Sequence, residues 1–253
     1  MKAIILAAGV GKRLRTLSNG VPKCLISIGG RTLLSRHLDN LARVGIHQVV
    51  VVVGYEHHLI REASQAEPYD GTIRYLMNDQ YERGSITSFW KARVEFDDDV
   101  IIMDADVLYH PTILRRLVES PLENALLMDE TVQQQTEECM VAVRNERVIS
   151  LSKSLPANYD CAGEGVGFLK VRRDDLLHLV DSVRPHIENG QVDREYEDAL
   201  QDFFRTVFVG CERIGGLPWI EIDFPEDIQR AETEILPLLS EGANTEFALG
   251  HHV

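Results

Sequence analysis

The sequence predicts a single α/β domain built on a mostly parallel central sheet. Two observations support this fold class. Short runs such as residues 2–7 and 48–53 are apolar on both faces, which is typical of buried parallel strands. Between them, residues 33–44 carry apolar side chains at helical spacing. Strand, helix and strand in this order indicate a doubly wound sheet, and 253 residues are enough for one such domain.

The elements of the first half of the chain follow this alternation. A short strand at 25–28 precedes a helix that Thr32 can cap and that Gly45 ends. The β-branched run 48–53 predicts a central strand. The pattern then predicts a helix at 56–65, a strand at 73–77, a polar loop at 78–85, a helix at 86–94, a strand from 100 to the two aspartates at 104 and 106, and a helix at 111–119.

The second half predicts a small antiparallel insertion. Residues 139–144 and 147–152 read as two strands around the turn Asn145-Glu146. The other predicted elements are a strand at 124–128, a helix at 174–183, an amphipathic segment at 195–204, a strand at 207–214, a short strand at 219–223 and a helix that begins near Pro225. We expect residues 1–237 to form the domain and residues 238–253 to form a polar tail.

Composition excludes several classes of function. Forty acidic against 26 basic residues give a net charge of -14, which argues against nucleic acid or an anionic membrane as the main partner. No apolar run is long enough for a membrane span, and the first is too short for a signal peptide. The four cysteines lack metal-ligand spacing and are expected to be reduced, so we expect a cytoplasmic protein.

The loop after the first strand is the strongest functional signal. Gly9 and Gly11 leave the backbone accessible, and cationic side chains follow at Lys12, Arg13, Arg15 and Lys23. Backbone amides beside lysine and arginine suit an anion, above all a polyphosphate. The loop lacks the Lys-Ser or Lys-Thr pair of a Walker motif and does not run directly into a helix as a dinucleotide fingerprint does.

Acidic residues are expected on the same rim of the sheet. Asp104 and Asp106 end a buried strand, and Asp223 ends a later short strand on which Trp219, Glu221 and Asp223 alternate to one face. Ligands of open parallel sheets bind at the carboxyl ends of the strands. Carboxylates beside a phosphate site indicate Mg²⁺. We predict Asp106 as a metal ligand supported by Asp104, with Asp223 as the second ligand.

The pattern of a strand, Leu-Ala-Ala-Gly-x-Gly-x-Arg, about nine residues and Pro-Lys resembles the sugar-phosphate and phosphocholine nucleotidyltransferase superfamily. The resemblance covers most of the chain. It implies a Rossmann-like three-layer sandwich of the nucleotide-diphospho-sugar transferase type, and it implies Mg²⁺ as the cofactor. It places Arg13 on the β and γ phosphates and Lys23 near the α-phosphate. The other nucleotide-binding residues that it implies are Leu6, Ala7, Ala8, Gly9, Gly11, Lys12, Asn78, Ser85, Ser88 and Asp104.

Within this superfamily, residues 197–200 and the Trp-x-Glu-Ile-Asp strand look most like small cytidylyltransferases. Those enzymes join CMP from CTP to phosphocholine, to phosphonates such as 2-aminoethylphosphonate or hydroxyethylphosphonate, or to polyol phosphates, and they release pyrophosphate. A hexose-1-phosphate nucleotidyltransferase and a catalytically silent nucleotide sensor are the alternatives, and a homodimer is left open. The predicted acceptor-binding residues are Lys153, Tyr159, Glu164, Glu197, Asp198 and Trp219.

Overall fold

A computed structural model of the chain describes residues 1–14, 20–66, 68–133 and 138–239. The helices are α1 (Leu33–Arg43), α2 (His57–Ala66), α3 (Ile86–Ala92), α4 (Pro111–Glu119), α5 (Leu176–Glu188), α6 (Tyr196–Ala199), α7 (Gln201–Thr206) and α8 (Pro225–Arg230). The strands are β1 (Lys2–Ala7), β2 (Ser27–Ile28), β3 (Arg31–Thr32), β4 (Gln48–Val53), β5 (Thr72–Met77), β6 (Val100–Asp104), β7 (Val107–Tyr109), β8 (Ala125–Asp129), β9 (Met140–Arg144), β10 (Arg147–Ser152), β11 (Cys161–Val171), β12 (Gly210–Arg213) and β13 (Trp219–Glu221).

The centre of the main sheet is parallel, which confirms the predicted α/β fold class. Strands β6, β1, β4 and β5 lie side by side in that order, and each pair among them is parallel. The register aligns their carboxyl ends, since Leu6 pairs with Asp104, Ala7 with Val53, and Val53 with Met77. The segments that follow these four strands therefore start along one edge of the sheet.

Helices cover both faces of this sheet, so the domain has three layers. Successive residues of a strand point to opposite faces, and on β1 Ile4 joins a core with Phe89 of α3, whereas Ile5 joins a core with Leu38 of α1. Both isoleucines are fully buried. The apolar character of β1 on both faces thus follows from its position between two helical layers.

The predicted antiparallel insertion is confirmed and is larger than a hairpin. Strand β11 runs antiparallel to β6 over Phe168–Val171 and to β9 over residues 161–164, and β9 pairs with β10. Strand β8 pairs with the opposite edge of β11. Strand β12 extends the sheet beside β8. Gly167, with φ +81°, lies where the pairing of β11 shifts between Gly165 and Leu169.

Three predicted boundaries were wrong. The strand expected at 25–28 begins two residues later, at Ser27, because Pro22 begins a 3₁₀ turn over Lys23–Leu25 in which Leu25 N donates to Pro22 O at 2.9 Å. Helix α5 continues to Glu188, five residues beyond the expected end, and carries Pro185 in its last turn. The strand expected at 207–214 is limited to β12, at Gly210–Arg213, where it pairs with β8.

The C-terminal part and the cysteines complete the description. Residues 236–239 continue the last helix, so the first two residues of the predicted tail are helical, and residues 240–253 lie outside the described residues. The four cysteines are free. Within the described ranges, every helix falls short of the length and apolarity that crossing a bilayer requires.

Candidate active site

The glycine loop after β1 lies on the edge where the four parallel strands end. Leu14 is 1% exposed and holds the loop to a small core, and Leu14 N donates to Gly11 O at 3.0 Å. Gly11 has φ +59°, and a Cβ there would lie 3.0 Å from Lys23 Cγ. The absence of a side chain at Gly11 therefore allows the Lys23 side chain to pack against the loop. Lys12 and Arg13 are exposed beside it. Arg15 lies outside the described residues.

Lys23 joins two acids that are far apart in the sequence. Its Nζ donates to Asp106 Oδ2 at 3.0 Å and also to Asp223 Oδ1. Although burial alone lowers the pKa of Lys23, the two carboxylates raise it above its usual value. Arg13 Nη1 lies 3.7 Å from Asp223 Oδ2, and its guanidinium stacks 4.7 Å from the centre of the Phe224 ring.

Pairing between β7 and β13 brings Asp223 to this place. Glu221 pairs with Val107, and Ile222 N donates to Asp106 O at 3.0 Å, so the segment after β13 runs beside the end of β6. The next turn is fixed by Asp227, whose Oδ2 accepts from the backbone N of Asp223 at 3.0 Å and of Phe224 at 2.7 Å.

Three carboxylates form a group that can hold a metal ion. One oxygen each of Asp106, Glu221 and Asp223 lies within 4.8 Å of the others. Hard oxygen donors of this kind suit Mg²⁺, and the ammonium of Lys23 between two of them shows that the place accommodates a cation. The residues present therefore fit the predicted cofactor. Sequence reasoning did not select Glu221, although the alternation of residues on β13 had placed it on the same face as Asp223.

Asp104 contacts a different partner from Asp106. Its Oδ2 accepts a hydrogen bond from Tyr196 Oη at 3.1 Å, and the carboxylate covers Gly167. Burial, together with the charges of Glu197 and Asp106, raises the pKa of Asp104 well above its usual value. Its predicted support of Asp106 stays a prediction, whereas its bond to Tyr196 is a contact that the sequence did not indicate.

Asn78, Ser85 and Ser88 lie in the wall of the cleft beside the loop. Asn78 is 1% exposed, and its Nδ2 donates to both Thr87 Oγ1 and Ser88 Oγ at 3.0 Å. Ser85 Oγ accepts from Tyr196 N at 2.8 Å, and although Ser85 stands at the N-cap position of α3 its side chain makes no capping bond there. These bonds fix the wall, and the nucleotide contacts of the three residues stay predictions.

The predicted acceptor-binding residues do not all lie together. Glu164 lies opposite Asp129 on β8, and Trp219 Nε1 donates to Asp129 Oδ2 at 2.8 Å. Burial and the charges of Glu138 and Asp129 raise the pKa of Glu164 to about 7. Lys153 is exposed just after β10.

Glu197 and Tyr159 occupy different ends of the acceptor side. Glu197 is coupled electrostatically to Asp104 and Glu221, whereas Asp198 is exposed. Tyr159 lies toward the Asn145 turn, about 16 Å along the direction of β11 from Glu164 at the usual rise of a strand, and its contact with the acceptor stays a prediction.

The glycine loop, Lys23 and the carboxylates lie on one rim of the sheet, and comparison with known proteins identifies the family of the chain. A protein-family profile for the MobA-like NTP transferase domain matches residues 3–150. This chain therefore belongs to that family, and it spans about half the length of several curated relatives that it matches.

Three relatives show the range of the family. A CMP-5'-(3-aminopropyl)phosphonate synthase of Streptomyces rubellomurinus is 36% identical over 127 residues, 50% of this chain and 20% of the synthase. The UTP–glucose-1-phosphate uridylyltransferase AglF of Haloferax volcanii is 26% identical over 93% of this chain and 96% of its own. The solved structure of the inositol-1-phosphate CTP transferase from T. maritima has a TM-score of 0.77, with 22% identity and 95% of each chain covered. It confirms the fold.

Proposed function

We propose that this chain is a CTP-dependent cytidylyltransferase that joins CMP to a small phosphate or phosphonate acceptor and releases pyrophosphate. The observation that carries the proposal is the position of Lys23, which lies beside the glycine loop and binds both Asp106 and Asp223. The name of the Streptomyces relative, a synthase of a CMP-phosphonate, supports cytidine and a phosphonate acceptor.

The reaction needs charge neutralisation more than proton transfer. An oxygen of the acceptor attacks the α-phosphorus of CTP, a new P–O bond forms, and the bond to the departing pyrophosphate breaks. Phosphates and phosphonates are ionised near neutral pH, so this nucleophile requires no general base. The barrier comes from repulsion between two anions and from charge that develops on the leaving group.

The cationic residues of the loop match these needs. Lys23 would donate to the α-phosphate, and Arg13, whose side chain is about half exposed, would bind the β and γ phosphates. Asp106 and Asp223 would hold Mg²⁺, with Glu221 beside them. When bound, Mg²⁺ supplies positive charge to the phosphate oxygens. The acids also orient the Lys23 ammonium toward the space between the loop and β13.

A hexose-1-phosphate nucleotidyltransferase is the second candidate. The Haloferax relative favours it, because that match runs over 93% of this chain. A silent nucleotide sensor is less consistent with the site, since Lys23, Asp106 and Asp223 contact one another and Arg13 lies beside Asp223.

One assay separates these candidates. Pyrophosphate release is measured with CTP, UTP, ATP and GTP against phosphocholine, 2-aminoethylphosphonate, 2-hydroxyethylphosphonate, glycerol phosphate, inositol phosphate and glucose 1-phosphate. We expect release that depends on CTP and on a small phosphate or phosphonate. Preference for UTP and glucose 1-phosphate would support the second candidate, and no release with any pair would contradict both enzymes.

A further inference from the structure

Glu197, a predicted acceptor-binding residue, is partly exposed as a whole, but one oxygen of its carboxylate is buried and lacks a hydrogen-bond partner. Among the described residues, Oε2 of Glu197 is shielded from solvent and bonds to nothing. Native proteins rarely leave a buried polar atom in this state, and such an atom often marks the place of a ligand. The mechanism proposed above gives Glu197 no task.

The short helix α6 holds Glu197 firmly in this position. The residue before it, Tyr196, donates its backbone N to Ser85 Oγ at 2.8 Å and its hydroxyl to Asp104 Oδ2 at 3.1 Å. The Tyr196 ring also stacks on Phe89, with centroids 5.2 Å apart and planes 14° from parallel. These three contacts fix the start of α6 at the residue immediately before Glu197.

The charges around Glu197 have the same sign as its own. Burial is the main reason that the pKa of Glu197 rises to about 8, and Glu195, Glu221 and Asp198 add to the rise. Glu221 also belongs to the carboxylate group that fits a metal ion. Glu197 is therefore close enough to Glu221 for the two carboxylates to repel each other, which places a further acid near the carboxylate group that fits a metal ion.

The Asp106–Asp223 pair with its cation and the separate Glu197 carboxylate favour an acceptor that carries both a negative and a positive group. Lys23 balances Asp106 and Asp223, and together with Mg²⁺ held by these acids it would attract the phosphate or phosphonate. Glu197 lies beyond them, and a buried carboxylate is stabilised when a cation is placed against it. A positive group on the acceptor would supply that cation, separated from the phosphorus by a short alkyl chain.

We propose that Glu197 binds the primary ammonium group of a zwitterionic aminoalkyl phosphonate or phosphate acceptor. This inference rests on the proposed function and names the class of its acceptor. It assigns Glu197 to selection of the acceptor by charge, with no part in the attack on CTP.

Three rings in the described part of the chain, those of Tyr196, Tyr109 and Trp90, already pack against other side chains and are poorly placed to form the aromatic cage that a quaternary ammonium needs. Tyr196, the ring next to Glu197, has one face covered by Phe89. Tyr109 is 3% exposed and packs on His37 and Phe168 in the core. Trp90 lies under the guanidinium of Arg93, 4.0 Å from the ring centre. A primary ammonium, which binds carboxylates through N–H bonds, fits these surroundings better than choline does.

A pair of acceptors that differ in one group tests the inference. 2-Aminoethylphosphonate and 2-hydroxyethylphosphonate have similar size, and only the first carries an ammonium. With saturating CTP and Mg²⁺, we expect kcat/KM for the amino compound to exceed that for the hydroxy compound by on the order of 100-fold. In Glu197→Gln the amino compound should lose about this factor, mainly through KM, whereas the hydroxy compound and the KM for CTP should change by less than about 2-fold.

Glu195→Gln is the matched control, since Glu195 is exposed and lies two residues earlier on the same segment. It removes one negative charge near α6, and we expect both acceptors to react as in the wild type. Circular dichroism checks the fold of each variant. If Glu197→Gln does not fold, the wild-type ratio of the two acceptors still decides.

The outcomes separate the inference from the function on which it rests. If the wild type used the hydroxy compound as well as the amino compound, or preferred phosphocholine, the ammonium assignment would be wrong and the cytidylyltransferase would stand. An unchanged acceptor ratio in Glu197→Gln would overturn the role of this residue. Failure of CTP with every acceptor would overturn the proposed function itself.

Discussion

The ammonium of Lys23 lies 3.0 Å from Asp106 Oδ2 and binds Asp223 with its other donors, so one side chain joins the first loop to the end of β6 and to the turn after β13. The two acids are also the residues that fit a metal ion. Without nucleotide, Lys23 therefore balances charges that a divalent cation would balance during the reaction. Mg²⁺ bound as proposed above would compete with Lys23 for these oxygens.

Replacing Lys23 should separate catalysis from metal binding. We expect Lys23→Met to lower turnover by about 10²- to 10³-fold, because a charge near the α-phosphate is lost. The same variant should unfold at a lower temperature without metal and should gain more thermal stability from Mg²⁺ than the wild type does. Thermal unfolding with and without Mg²⁺ measures this. Lys91→Met, which removes an exposed lysine paired with Asp79, is the control, and equal Mg²⁺ shifts in both variants would contradict the competition.

Asp106 should be essential for turnover and dispensable for folding. We expect Asp106→Asn to reduce pyrophosphate release at least about 10³-fold at any Mg²⁺ concentration, because an amide binds Mg²⁺ far more weakly than a carboxylate does. Its circular dichroism spectrum should match that of the wild type. Asp202→Asn changes an exposed carboxylate and should keep full activity. Retained activity in Asp106→Asn would refute its role as a metal ligand.

Local patterns predicted those parts of the site that depend on the parallel strands. The apolar runs that end at Ala7 and Asp104 become neighbouring strands, and the carboxyl ends of parallel strands share an edge. Asp106 and the glycine loop could therefore be placed near each other from the sequence. Asp223 was predicted from its place at the end of a short strand with alternating side chains, and β7–β13 pairing explains how it reaches Asp106.

The remaining parts depend on contacts between distant segments. The bond from Tyr196 Oη to Asp104 joins residues 92 positions apart, and the bond from Trp219 to Asp129 joins residues 90 positions apart. No local periodicity encodes such pairs. Tyr159 was selected for its aromatic ring, but the direction of β11 carries it away from Glu164. The type of the Tyr159 side chain alone could not predict how far along β11 it would lie from Glu164.

Gly167 should tolerate no side chain, because two separate costs meet there. Its φ of +81° is unfavourable for other residues, and a Cβ would lie well inside van der Waals contact with Asp104 Oδ2. Gly30 has φ +79° with open space around it, so Gly30→Ala measures the backbone cost alone, about 1 kcal/mol. We expect Gly167→Ala to lower the free energy of unfolding by more, and also to lower activity by moving Asp104. If Gly167→Ala and Gly30→Ala lowered the free energy of unfolding in urea equally, the Asp104 side chain would be able to move away from the added methyl group without cost.

Glu164 should make the stability of the protein depend on pH. Burial and the charges of Glu138 and Asp129 raise its pKa in the folded state to about 7, compared with 4.5 for the free side chain. Between these pH values the folded state binds more protons than the unfolded state, so the contribution of Glu164 to stability falls as pH rises through this range.

In Glu164→Gln the side chain does not titrate, so the variant does not lose stability as pH rises through this range. The difference in melting temperature between Glu164→Gln and the wild type should therefore grow from pH 4.5 to pH 7 in favour of the variant, and stay constant above about pH 8. Thermal unfolding across this range measures the difference. Glu232→Gln, at an exposed position, should show a smaller change with pH. A difference for Glu164→Gln that does not vary with pH would mean that water reaches this carboxylate, and that the acceptor side of the cleft is more open than its burial indicates.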